Sequence, residues 1–564
     1  MSLPEQLEMI WPLGLKPPDP VLPEGYGLRS FRKGDEEAYI KVLNCGELGI
    51  WDLKRLTESI LNNPLSSTGI YFVTWDDVPV ATACGLDRSP NPLSLVGELS
   101  WVAVDPAHRG KGLGFSACSA VVRNFLYWKY KKIYLKTDHW RLPAIKTYLK
   151  MGFEPERTTP DARFCWARIS DILRWPLKEP TTARHIKQPT GEEIAWRTLN
   201  MEKITEPCIL SPFAMKREFY QYLTHKNDIY ENAADTAIEA FILSGANLDI
   251  QFIMPSPDIE HMAVDPLSLK IESAPPKIEE TVQPTFNSPE DVRDAIERLP
   301  DPATLERNFD LETAANAYAG RLKKLREIAR GEMLFISDFG QADFMGGYTR
   351  WGYTNYLAAF ALYPEHLKRY YQYTGEWGRL YNMAIVRAVE KYGIAPFVYS
   401  GQDICFNDGP ICSPQTLDEL YFPYLVRAVQ PLHDAGIKII WHCDGDVRLI
   451  LPQLINRVGV AGFQGFQEET GCTLETIASL KTREGRKPII IGSVSVTTTL
   501  PFGTVEDVKK DVERCFRVAA TGGGFGLASS SSILPETPLS NILAMTEHGR
   551  RFGKKFLREL YGRQ

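Results

Sequence analysis

Apolar and polar positions alternate with a period of two at several points in the first third of the chain. Residues 69–75 and 78–84 predict two strands of a hairpin around Asp76-Asp77, and residues 95–104 and 132–137 predict two more. Between them, residues 112–130 carry helical spacing, with Ala117, Val121, Val122, Phe125 and Leu126 on one face. A shorter helix over 144–150 stops at Gly152. These elements predict an α+β unit over residues 23–175. It is preceded by a proline-rich extended leader, 1–22, and followed by a polar linker, 176–200. From 201 to 564 short buried strands alternate with helices. Strands are predicted at 248–253, 333–336, 397–400, 437–441, 462–466, 488–491 and 524–527, with helices over 364–391 and 416–435. That order predicts a parallel α/β fold, and a (β/α)8 barrel suits its length. Residues 254–310 are the least regular part and read as an excursion near the barrel mouth.

Composition narrows the classes. A 564-residue chain would hold three to four domains at about 150 residues each, but the pattern divides it into two unequal ones. A formal charge of −6 with 24% charged residues gives no basic field, so nucleic acid is not expected as a partner. No apolar run is long enough to span a bilayer, and the N-terminus lacks a basic start before an apolar stretch. The ten cysteines form no C-x-x-C pair, which fits free thiols in a reducing, cytoplasmic setting.

The sharpest motif is Val102-Ala-Val-Asp-Pro-Ala-His-Arg-Gly-Lys-Gly-Leu-Gly114, a strand, a glycine-spaced loop and a helix start. Arg109, Gly112 and Gly114 form R-x-x-G-x-G. Glycines let the backbone approach a phosphate, and free N–H groups at a helix start bind its charge. With Ala144-x-x-x-Tyr148-x-x-x-Gly152-Phe153 downstream, the chain resembles the GNAT family of N-acyltransferases over roughly residues 25–172. That resemblance implies acetyl-CoA, or another acyl-CoA, as donor and a small-molecule amine as acceptor. It implies that Arg109, Gly110, Lys111, Gly112, Leu113 and Gly114 hold the pyrophosphate through their N–H groups. Val102 and Val104 would pair with the pantetheine arm, Tyr148 would protonate the leaving thiolate, and Glu98 would deprotonate the amine. Asp138 and His139 lie towards the expected acceptor side. Arg141 stands where the family often has Asn.

In the second unit, the mainly apolar strand residues Ile437, Ile439, Ile440 and Trp441 run into His442, Cys443, Asp444 and Asp446. Asp403 and Cys405 follow an earlier strand, and Ser337 and Asp338 another. Barrel active sites sit at such strand ends. Gly401-Gln-Asp-Ile, Gly409-Pro-Ile-Cys-Ser-Pro-Gln, Tyr421-Phe-Pro-Tyr, His442-x-Asp-Gly and Ile533-Leu-Pro-Glu-Thr-Pro appear in the order seen in the uroporphyrinogen decarboxylase superfamily, which includes cobalamin-dependent methyltransferases. The chain lacks the Arg-Gln-Ala-Gly-Arg-Tyr stretch that grips propionates. Residues 249–255 have no clear equivalent of the decarboxylase aspartate, although Asp258 is close.

The methyltransferase branch implies zinc on H-x-C and a later Cys. Here the ligands become His442 and Asp444, with Ser531 at the third position and Asp403, Cys405 or Cys443 nearby. Residues 442 and 444 share one face of a strand while Cys443 points away. His442, Asp444 and Asp403 are thus the barrel's catalytic candidates, and His442 and Asp444 its metal candidates. Three readings stay open for the barrel. It transfers a methyl group with a corrinoid protein or thiol as partner, decarboxylates a small polar acid other than a porphyrinogen, or binds substrate without catalysis.

Overall fold

The computed structural model describes residues 6–46, 48–91, 94–177, 189–214, 216–255 and 286–562. Asp258 and most of the irregular stretch, 256–285, lie outside the described residues. The chain divides into two compact units, 2–188 and 189–564. Among the described residues no helix is long and apolar enough to cross a membrane.

The first unit is built on a seven-stranded sheet: β1 (Leu7–Ile10), β2 (Tyr26–Ser30), β3 (Ile70–Trp75), β4 (Val78–Asp87), β5 (Val96–Val104), β6 (Lys132–Thr137) and β7 (Glu154–Pro155). Their order is β2-β3-β4-β5-β6-β1-β7. The leader is therefore not merely extended. Leu7, Met9 and Trp11 alternate inward, and β1 pairs antiparallel with β6 on one side and β7 on the other. The buried Trp11 ring meets Phe153 edge-on at 5.1 Å between centroids.

Two features of β5 shape the unit. Its register with β4 shifts between Thr82 and Cys84, so Trp101 and Val102 together oppose Ala83, and Trp101 takes φ +50°. Its parallel pairing with β6 ends at Leu99, while β5 itself runs on to Val104. The sheet thus opens between β5 and β6. The helix Leu113–Tyr127 covers one face so closely that a Cβ on Gly97 would lie 2.5 Å from the Phe125 ring. On the other face Tyr39, Leu43, Trp51, Leu56 and Ile60 pack on Phe72, Cys84 and Leu86.

The second unit holds β8 (Cys208–Ile209), β9 (Leu248–Asp249), β10 (Leu334–Phe335), β11 (Phe397–Gly401), a hairpin of β12 (Cys405–Phe406) and β13 (Gly409–Pro410), then β14 (Lys438–His442), β15 (Gly462–Gln464), β16 (Ile489–Ile491) and β17 (Phe525–Leu527). β11-β14-β15-β16-β17-β8 form one parallel run and β9-β10 a parallel pair. The parallel bridges Leu210–Leu248 and Ser337–Val398 join the two. Eight parallel strands therefore close on themselves, as the alternation of strand and helix predicts. Residues such as Leu248, Ile336, Tyr399, Ile440 and Ile491 fill the interior. The sequence pattern missed β8, which is only two residues long. The segment read as a linker also contains the helix Gly191–Leu199, which a Thr190/Glu193 capping box starts and the buried Ile194, Ala195 and Leu199 anchor.

Candidate functional site

In the first unit the site begins where β5 leaves the sheet. Asp105 caps the turn Pro106–His108 by accepting from Ala107 N–H at 2.9 Å. Gly110 and Gly112 then take φ +80° and +78°, which side chains disfavour, with open space where a Cβ would stand. Gly112 is the N-cap of the helix Leu113–Tyr127 and supplies no side-chain cap, so the first-turn N–H groups stay available to an anion. Arg109 to Gly112 are exposed, while buried Leu113 anchors the helix start. Gly114 keeps helix and strand close, since a Cβ there would be 3.3 Å from Val104 Cγ2. Beside this loop, the segment through Val102 and Val104 is laddered to β4 and not to β6. The Arg109 side chain braces the loop from behind, donating to Val104 O at 3.3 Å and Cys45 O at 2.9 Å.

Tyr148 sits in the helix Leu142–Met151, 7% exposed, and burial raises its hydroxyl well above the usual phenol range. It therefore stays protonated at neutral pH, as a proton donor must. Glu98 faces Tyr134 across β5–β6 and is ion-paired with Arg88 at 2.6 Å. The pair engages Oε2 and leaves Oε1 outside it. Asp138, buried, accepts from Gln6 Nε2 at 2.9 Å and Arg141 Nε at 2.7 Å, which gives both Asp138 and Arg141 local structural partners.

In the barrel, Asp403, His442 and Asp444 converge, with one donor atom from each lying within 4.8 Å of the others. β14 sets His442 on the same face as the interior Ile440, and Asp444 follows two residues on. Cys443 turns the other way, its thiol 3.2 Å from Asp444 O. The Cys405 thiol beside it, together with burial, raises the Cys443 thiol well above its usual range. His442 Nδ1 lies 3.1 Å from Gln464 O. A carbonyl oxygen only accepts, so Nδ1 carries a hydrogen and Nε2 is the ring nitrogen left on the side of the two carboxylates. Nε2 is 3.8 Å from Asp444 Oδ1, too long for a direct hydrogen bond. It is close to the separation of about 3.3 Å expected between donors on one zinc ion with bonds of about 2.0–2.1 Å. Burial raises the Asp444 carboxyl, and the Asp403 carboxylate adds to the shift while His442 opposes it. A cation on this set would offset that cost. Imidazole and carboxylates with a fixed tautomer are therefore a chemically suitable donor set for a divalent ion.

Three surrounding groups carry no motif in the sequence. Gln464 contributes only a main-chain carbonyl to His442, and its side chain accepts from Tyr399 OH at 2.8 Å. Tyr348 OH donates to Asp403 O at 3.2 Å, and Asp444 N–H donates to Asp403 Oδ1 at 3.0 Å. Ser531, the third position implied by the family, reaches Asp444 Oδ2 at 3.4 Å. Asp446 instead pairs with Arg448 at 2.8 Å, and Asp338 with Arg321 at 3.1 Å. Gly465 has φ +56°, and a Cβ there would overlap Ser530 O and stand 3.1 Å from His442 Nδ1. Gly465→Ala is expected to cost about 2–4 kcal/mol through clash and strain. A lowered melting midpoint of the barrel transition would register it.

Comparison with known proteins matches residues 38–153 to the acetyltransferase (GNAT) family and residues 277–552 to the uroporphyrinogen decarboxylase (URO-D) family. A mycothiol acetyltransferase of Saccharomonospora viridis is 29% identical over 157 residues, 25% of this chain and 50% of that protein. A methylcobamide:CoM methyltransferase of Methanosarcina barkeri is 27% identical over 150 residues, 26% of this chain and 41% of that protein. The chain thus spans half or less of these relatives. Among solved structures, a methyltransferase from Methanosarcina mazei aligns at 16% identity and a TM-score of 0.44, over 64% of this chain and 99% of that one.

Proposed function

Because the chain joins a GNAT acetyltransferase domain to a domain of the uroporphyrinogen decarboxylase superfamily, we propose that it is a bifunctional enzyme of small molecules, with acyl-CoA-dependent N-acyl transfer in its first unit. The observation that carries this is the loop Arg109 to Gly114, whose exposed glycines lead into an uncapped helix start beside the opened edge of β5. Loop N–H groups bind the donor's pyrophosphate. The Val102–Val104 backbone aligns its pantetheine arm, so that the thioester carbonyl meets an N–H donor as charge develops. Glu98 takes a proton from the acceptor's ammonium group, directly or through water. The amine nitrogen forms the amide bond as the carbon–sulfur bond breaks; Tyr148 gives its proton to the departing sulfur and is reprotonated by the second proton that the nitrogen sheds in becoming the amide. The test is release of free CoA from acetyl-CoA in the presence of small primary amines. Tyr148→Phe should lower kcat about 10²-fold or more and leave the acetyl-CoA KM nearly unchanged. An unaltered kcat would remove Tyr148 from the reaction.

For the barrel, the Asp403, His442 and Asp444 set supports zinc binding and a methyl-transfer reaction. The name of the Methanosarcina barkeri relative, a methylcobamide:CoM methyltransferase, favours a methylated corrinoid as methyl source, and the sequence resemblance adds the expectation of a protein that carries it. Bound zinc would supply Lewis-acid polarisation of a substrate atom. Gln464 fixes the His442 tautomer, and Tyr348 and the Asp444 main chain hold Asp403 in place. No membrane or nucleic-acid partner enters this reading.

A further inference from the structure

The glycine loop has a neighbour that the acyl-transfer chemistry does not use. Trp75, at the end of β3, is 40% exposed and packs on Tyr26 with ring centroids 4.7 Å apart. Tyr26 in turn meets His108 edge-on at 5.7 Å, and Trp75 lies 6.2 Å from His108. Two polar contacts bolt this cluster to the loop. Tyr26 OH is 2.8 Å from His108 Nδ1, and Lys111 Nζ donates to Tyr26 OH at 2.9 Å while lying 5.4 Å from the Tyr26 ring centre. Gly25 takes φ +84°, and a Cβ there would come within 2.5 Å of the Trp75 six-membered ring, so the backbone supports the indole from that side. A single exposed tryptophan on a surface is ordinary. An indole braced on one side, open to solvent, and tied through Tyr26 to the two residues flanking Arg109-Gly110 is a stacking surface held beside an anion site.

We propose that Trp75 is the platform on which the adenine ring of the acyl-CoA donor stacks, with Tyr26 and Lys111 as its positioning residues. The inference rests on the reading of residues 109–114 as the pyrophosphate site and adds a nucleotide subsite to it. Bases stack on aromatic side chains with little dependence on hydrogen bonding, and loss of one such contact commonly weakens binding about tenfold. Stacking here would make the first unit prefer whole CoA over the same molecule cut at the pyrophosphate.

The experiment is calorimetric titration of the full chain with CoA and, separately, with pantetheine 4′-phosphate, which lacks the adenosine 3′,5′-bisphosphate portion. The wild type should bind CoA more tightly. Trp75→Ala should weaken CoA about tenfold and leave pantetheine 4′-phosphate unchanged, and Trp75→Phe, which keeps a ring in the slot, should retain most of the preference. Wild-type CoA affinity in Trp75→Ala, or equal weakening of both ligands, would overturn the proposal while the pyrophosphate reading stands. So would a wild type that binds the two ligands equally. A wild type that binds neither overturns both.

Discussion

In Gly112→Glu, saturating acetyl-CoA should leave the melting midpoint of the first unit where it was, whereas the wild type should gain roughly 5–10 °C. The wild-type figure follows from ligand linkage. A ligand at 100 times its Kd adds about 2.7 kcal/mol, and a unit of this size moves about 2–4 °C per kcal/mol. The variant fails for two separable reasons. Gly112 has φ +78°, where any side chain is strained by about 1–2 kcal/mol. The space at its Cβ is open, so the new carboxylate would fit, but it would stand at an uncapped helix start and occupy the anion's place with a like charge. Gly112→Ala carries the strain without the charge and should keep a reduced shift. If Gly112→Ala and Gly112→Glu lost the shift equally, backbone conformation alone would account for the loop. If neither did, this loop would not be the donor's site.

This loop was legible in the sequence because its chemistry is local. Thirteen consecutive residues hold the strand end, both positive-φ glycines and the helix start, and the fold only has to leave them exposed. The barrel site was legible to a lesser degree. His442 ends β14 with Asp444 two residues beyond it, and Asp403 stands two residues past the end of the neighbouring strand β11, so the parallel pairing of Gly401 with His442 brings the three together. What selects the His442 tautomer is a main-chain carbonyl of Gln464, and every residue has one. The same holds for the parts of the fold that the pattern missed. β1 pairs with β6 across more than a hundred residues, and four residues in a proline-rich leader carry little periodicity by themselves. β8 is two residues long and reads as a strand only because β17 and the bridge at Leu210 enclose it. Glu98 shows the reverse case. Its position on β5 was expected, but its pairing with Arg88 depends on a side chain ten residues earlier meeting it across the β4–β5 pairing.

Metal content separates the barrel readings, and the structure fixes which substitutions should change it. Wild-type protein titrated with zinc should hold about one ion per chain beyond any bound elsewhere, and His442→Ala should lose it. Removing one of three donors eliminates a whole bond, so the affinity loss should exceed the 10- to 100-fold typical of an outer-shell partner. Asp403→Asn and Asp444→Asn keep shape and remove charge, and each should weaken the site strongly. Cys443→Ser is the informative control. Cys443 is the one thiol between the two expected ligands in sequence, and composition alone would make it the softer donor. Its sulfur points to Asp444 O and to Cys405, away from His442 Nε2, so zinc content should be unchanged. Asp444→Cys should tighten zinc instead, because a thiolate then joins imidazole at the inward-facing position. Zinc retained in His442→Ala, or lost in Cys443→Ser, would mean that the ion sits on other donors. In that case the pocket around His442 would bind a polar substrate by hydrogen bonds alone, which moves the barrel from metal-assisted transfer to the decarboxylase or binding-module reading.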